Sequence, residues 1–194
     1  MSDRISKSHL THYLANYEEV VLGPLAALCS KILLAIMLMA TLTACTALRE
    51  HNRRKLDLTI NDGLLNVPDM YFEGRADSSG MFRSGSVENV IREMQGLKVK
   101  GKVPIVIYMH GCSGFGISVF RDAAFLARNG YAVIAPNSFA RPRPKSCDPK
   151  SKYYHWREAF WLRMKEVKHA VTFVKSLAWV DQDIVFLMGF SEGA

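Results

Sequence analysis

The spacing of apolar residues changes period several times along the chain, and each change predicts an element. Residues 32–44 are apolar or small apart from two threonines, and no charge occurs between Lys31 and Arg49. So long an uncharged run predicts a helix suited to lipid or to a secretory signal. Residues 56–60 alternate with a period of two, as a half-exposed strand does, and Asn61, Asp62 and Gly63 follow as a turn. Gly80, Gly85 and the serines between Asp77 and Ser86 predict a loop. Ser86 then caps a short amphipathic helix with Val87, Val90, Ile91, Met94 and Leu97 on its apolar face. Residues 103–109 are apolar on both faces, which predicts an inner strand of a parallel sheet. Helical spacing over residues 118–129 ends at Gly130, placed as a C′ cap, and residues 131–136 return as a second inner strand. Strand, helix and strand make one βαβ unit. Residues 154–179 predict one long helix, with Trp156, Phe160, Met164, Val167, Val171 and Val174 on its buried stripe. Arg163, Lys165, Glu166 and Lys168 lie off that stripe. Residues 184–188 predict a buried strand running into glycine. This order of elements is that of an α/β domain, a mostly parallel sheet flanked by helices, preceded by an apolar segment.

The last strand breaks into Gly189-Phe190-Ser191-Glu192-Gly193, a G-x-S-x-G sequence. A strand that reverses sharply into a helix leaves no room for a Cβ on either side of the strained central residue. Glycines at 189 and 193 therefore suit a nucleophile elbow that lifts the Ser191 hydroxyl clear of the sheet. The competing reading is a Gly-Ser surface turn after a core strand, since small residues reach this spacing by chance. Context favours the elbow. The first inner strand ends in His110-Gly111-Cys112-Ser113-Gly114, and open α/β sheets place their sites on loops at the carboxyl ends of strands. On that loop the backbone N–H of Cys112, together with that of Glu192, is expected to hold a developing oxyanion. His110 is read as a brace of the loop through hydrogen bonds, in preference to a catalytic base.

The 194 residues suffice for one substantial core and an N-terminal appendage, and 49% hydrophobic with 22% charged residues excludes a disordered chain. The formal charge of +7 would suit nucleic acid. Lys and Arg are scattered, however, and form no basic strip interleaved with aromatics, so no nucleic acid is expected. No Cys/His spacing suits zinc, and neither metal nor cofactor is expected. At the N-terminus, Lys31, the short apolar core and the small residues after it follow the layout of a secretory signal. Leu42-Thr43-Ala44-Cys45 is similar to the lipobox of bacterial lipoproteins. That likeness implies cleavage before Cys45, lipidation of its thiol and a lipid-tethered protein. Glu18 and Glu19 make the leader long for a signal, which a start downstream of Met1 would explain. Arg49, Arg53, Arg54 and Lys55 beyond the run favour instead an uncleaved anchor over residues 20–48 with a cytoplasmic domain. A core helix is the third option. Arg141, Arg143 and Lys145 stand in a proline-containing loop, read as solvated in preference to binding an anionic group. Cys147 on the same loop is placed to pair with Cys112 in an exported protein, two free thiols being the alternative.

Four stretches together, residues 110–114, 127–133, 136–142 and 189–193, resemble the dienelactone hydrolase branch of the α/β-hydrolases. The likeness covers about residues 100–194. It implies a partial α/β-hydrolase fold, a Ser or Cys nucleophile, a backbone oxyanion hole, and an Asp and a His supplied after the elbow. Dienelactone hydrolases proper carry Cys where Ser191 stands, and members often carry Asp where Asn137 stands. Only Glu192, Gly193 and Ala194 follow Ser191. The chain therefore reads as the N-terminal part of a larger hydrolase: leader and signal or anchor over residues 1–45, strands, loop and helix over 46–102, and an incomplete hydrolase core over 103–194. The expected function is that of a serine hydrolase of small-molecule carboxylic esters or lactones, with weak or no turnover as it stands and an exposed sheet edge. A non-catalytic, membrane-tethered binding or envelope protein is the alternative.

Overall fold

In the computed structural model, which describes residues 23–73, 81–140 and 156–194, the first element is a single helix, α1 (Gly23–Asn61). Pro24 suits its first turn, and neither glycine nor proline interrupts it from there to Asn61. The described residues from 28 to 54 are all exposed, and α1 contains a span long and apolar enough to cross a bilayer. The strand expected over residues 56–60 is instead the end of this helix. Five alternating residues are too few to outweigh propagation of an unbroken helix. Thr59 and Ile60 are buried, and Asp57 faces His169 across 2.9 Å. The turn at Asn61-Asp62-Gly63 then ends the helix. A Cβ on Gly63 would stand 2.7 Å from the Ala135 carbonyl oxygen, so the chain turns where only glycine fits.

The chain divides into two compact units between His51 and Asn52, and the second, Asn52–Ala194, holds the sheet. Its strands are β1 (Leu64–Pro68), β2 (Phe82–Ser86), β3 (Val103–Met109), β4 (Ala132–Ala135) and β5 (Val180–Gly189). They lie in the order β2-β1-β4-β3-β5. β3 runs parallel to β4 and β5, whereas β1 is antiparallel to β2 and β4. β2 replaces part of the expected loop: Leu65 pairs with Gly85 and Asn66 with Ser84. An edge strand that is only half-buried tolerates these small and polar residues.

Helices α2 (Val87–Met94), α3 (Ile117–Arg128) and α4 (Trp156–Ser176) complete the domain. The Asn89 N–H donates to Ser86 Oγ at 3.4 Å, the expected cap of α2. Gly130, at φ 89°, closes α3. Alternation along β3 feeds two cores. Ile105, Ile107 and Met109 pack with Val87 and Val90 of α2 and with Ala170 and Val174 of α4. Val106 and Tyr108 pack with Val119 and Ala123 of α3. A strand clad on both faces must be apolar on both, which is why β3 was legible.

Two expectations fail in α4 and β5. In α4 the buried line is Ala159, Arg163, Glu166, Ala170 and Val174, while Phe160, Trp161 and Met164 are exposed. The C-terminal half of the expected stripe holds, with Val174 buried and Val167 and Val171 half-buried against the core beside Phe173, whereas Phe160 and Met164 turn outward and the Arg163–Glu166 pair turns inward. In β5 the apolar run is not buried: Ile184, Phe186, Leu187 and Met188 are exposed. β5 ends the sheet order, so among the described residues β3 is the strand that pairs with it.

Candidate active site

Because β3, β4 and β5 are parallel, their carboxyl ends fall on one edge of the sheet, and three turns meet there. They are the glycine loop after β3, the turn Ser138–Ala140 after β4, and the turn Ser191–Gly193 after β5. Ser191 has a φ of 55°, the one positive value at a non-glycine position among the described residues. Left-handed backbone of this kind disfavours a side chain and needs surroundings that enforce it. Here two glycines enforce it. A Cβ on Gly193 would overlap the Met109 carbonyl, and one on Gly189 would overlap the backbone of Gly193. Hydrogen bonds complete the turn: Phe190 N–H donates to Met109 O at 3.1 Å, Gly193 N–H to Phe190 O at 2.9 Å and Ala194 N–H to Ser191 O at 3.0 Å. The Ser191 side chain is exposed.

The glycine loop lies directly against this turn. A Cβ on Gly111 would stand 3.0 Å from Phe190 O and 3.2 Å from Ser191 Cβ. Gly111 and Gly114 are buried, Cys112 is half-buried and Ser113 is exposed. Gly114 takes φ 73° and packs under the Phe139 ring, where a Cβ would come to 2.6 Å. Phe139 also stacks on the His110 imidazole, with centroids 5.4 Å apart, and Phe115 meets that ring edge-on at 5.3 Å. Cys112 is disulfide-bonded, while Cys29 and Cys45 are free and exposed. Cys147, Arg141, Arg143 and Lys145 lie outside the described residues.

His110 is fully buried. Ser138 N–H donates to its Nε2 at 3.1 Å, so that nitrogen carries no proton, and Nδ1–H donates to Gly111 O at 2.7 Å. Both ring nitrogens of His110 are thus engaged, one by Gly111 O within the loop and the other by Ser138 N–H. Among the other described histidines, His169 pairs with Asp57 and His51 lies in α1. Behind His110 stand Arg163 and Glu166, which the spacing of α4 had placed off the buried stripe. Arg163 Nη2 donates to His110 O at 2.8 Å, Arg163 Nη1 contacts Ser138 Oγ, and Ser138 Oγ donates to Glu166 Oε2 at 2.7 Å. The small residues Ala159 and Ala170 at helical spacing around them were the available signal, since a close helix–sheet approach requires such residues. Among the described residues no group of three or more His, Cys, Asp or Glu side chains is placed to hold a metal.

A hydroxyl on a strained turn beside a glycine loop is a geometry suited to attack on a carbonyl, provided a base takes the proton. Comparison with known proteins supplies the family. Residues 91–194 match the profile of the dienelactone hydrolase family. The chain is also similar to a crystal structure named "Putative Dienelactone Hydrolase" from Klebsiella pneumoniae subsp. pneumoniae MGH 78578, at 19% identity and a TM-score of 0.37. That likeness covers 48% of this chain and 40% of the Klebsiella chain. No curated protein matches.

Proposed function

The chain belongs to the dienelactone hydrolase family, whose profile covers residues 91–194, and from that premise we propose that it carries the nucleophile of a serine hydrolase acting on a carboxylic ester or lactone. Ser191 Oγ attacks the carbonyl carbon, the carbonyl π pair moves onto oxygen, and the N–H groups of Cys112 and Glu192 hold the resulting alkoxide. Collapse expels the alcohol and leaves an acyl group on Ser191, which water then releases as the acid. The observation that carries this reading is the φ of 55° at Ser191, kept by glycines on both sides and set beside Gly111. Strain of that kind persists where it serves chemistry.

The proton still needs a base. In α/β-hydrolases the acid and histidine follow the nucleophile; three residues follow Ser191 in these 194, and His110 is committed to the loop. Without a base beside Ser191, turnover is expected to be weak or nil. A fluorophosphonate probe tests the assignment. Ser191 is expected to label slowly, faster as hydroxide becomes available at higher pH, and Ser191→Ala abolishes the label. A label that survives Ser191→Ala, or none at any pH, overturns it. The second reading, a non-catalytic binding or envelope protein, is favoured by the engagement of His110 and His169 elsewhere. It requires a probe-silent chain that still retains an ester ligand.

For the N-terminal unit the reading is a lipoprotein signal with Cys45 as the lipid acceptor, supported by Leu42-Thr43-Ala44-Cys45 and by the free, exposed thiol of Cys45. The Cys112 disulfide, with Cys147 as its partner in this reading, suits an oxidising compartment. An uncleaved anchor with a cytoplasmic domain is the alternative, supported by the length and full exposure of the apolar span in α1. The partners are then a small-molecule ester and a membrane.

A further inference from the structure

α4 buries two charged side chains, Arg163 at 6% exposure and Glu166 at 0%. Such burial is costly, and replacing a buried ion pair by apolar residues is often neutral or stabilising. Stability alone does not account for this pair. Among the described residues its hydrogen bonds reach the His110 loop, where Arg163 Nη2 also lies 3.5 Å from His110 Nδ1. From Glu166 they run through Ser138 Oγ, from Arg163 to the His110 carbonyl, and from Ser138 N–H to His110 Nε2. They end at His110 Nδ1–H, which donates to the Gly111 carbonyl. Gly114 N–H donates to the same carbonyl at 3.1 Å. That carbonyl and the Cys112 N–H belong to one planar trans peptide, so pinning the oxygen fixes the opposite direction for the N–H. Gly111 would otherwise let this peptide flip at little cost.

We propose that Arg163 and Glu166 are positioning residues for the site. Through Ser138 and a singly protonated His110, they hold the Gly111–Cys112 peptide in one orientation beside Ser191. The role rests on the reading of the Cys112 N–H as an oxyanion donor. The brace itself is a separate physical statement and is measured separately.

The test uses the full chain, ¹⁵N-labelled and held in detergent micelles. Long-range ¹H–¹⁵N spectra of His110 are expected to show Nδ1 protonated and Nε2 bare. In a double variant, R163M with E166M, both members of the buried pair are removed together, and β3 and β4 amide signals are expected to stay in place. The His110 ring signals should then average between tautomers, the Cys112 amide should broaden, and fluorophosphonate labelling of Ser191 should slow by about tenfold or more. A folded double variant with unchanged His110 and Cys112 signals overturns the proposal. Should that variant not fold, R163K keeps the charge without the guanidinium fork, and the same signals, unaltered in it, overturn the proposal equally. A wild-type chain silent to the probe sinks the Ser191 assignment, while the ring signals still decide the brace.

Discussion

At Ser191 the backbone sits at a φ of 55°, a conformation that costs a non-glycine residue about 1 kcal/mol. Ser191→Gly is therefore expected to raise the unfolding free energy by about 1 kcal/mol in a urea titration while removing the hydroxyl. Gly193→Ala has the opposite sign. Its methyl would overlap the Met109 carbonyl, and the turn must open at a cost of about 2 kcal/mol or more. If both variants shift stability the same way, the turn is not strained as described. The G-x-S-x-G spacing itself was local and could be read, and the Cβ excluded at Gly189 would meet the turn's own Gly193, but the one excluded at Gly193 would meet the Met109 carbonyl of β3, which no local pattern announces. Arg163 and Glu166 were not legible. Opposite charges three positions apart on a helix look alike whether solvated or buried, and the groups that bury them, His110 and Ser138, come from other parts of the chain.

Among the elements, β3 shows how one strand serves two cores. Its Tyr108 faces α3, where burial first, and then the hydrogen bond it donates to Asp122 at 3.1 Å with that carboxylate's charge, hold the phenol above its ordinary pKa of 10.0. The native chain therefore keeps this proton to a higher pH than the unfolded chain does. Above pH 10 the native state binds more protons, and stability falls as pH rises. The fall is expected to be smaller in Tyr108→Phe, at the expense of about 1 kcal/mol below pH 10 from the lost hydrogen bond; urea titrations on either side of pH 10 measure both. β5 makes a different prediction. It lies at the end of the sheet with Phe186 48% and Leu187 60% exposed, and an apolar edge strand is a template for pairing with other chains. Sedimentation velocity is expected to show concentration-dependent association that Leu187→Lys weakens; equal association in the variant would place the contact elsewhere. The apolar run of β5 correctly announced a strand, but a run alone does not say whether a neighbour covers it. Residues 56–60 erred in the other direction, since a short alternation was absorbed by the helix already running through it.

For the whole molecule, signal and anchor predict different products. If Cys45 is a lipidation site, globomycin should make an uncleaved precursor accumulate; an anchored chain shows one size with or without the drug, and that result removes the lipoprotein reading. Read alone, the sequence determined the α/β alternation, the inner strands β3 and β4 and the capped helix α2. Each of these follows from backbone preference or from periodicity within a dozen residues. The tertiary structure alone decided that β1 joins the sheet antiparallel to β4, that Gly111 lies against Ser191, and that α4 turns a charge pair inward while β5 leaves its apolar face open. Those outcomes depend on which distant segments arrive at a residue, and burial, unlike periodicity, is a property of the neighbours.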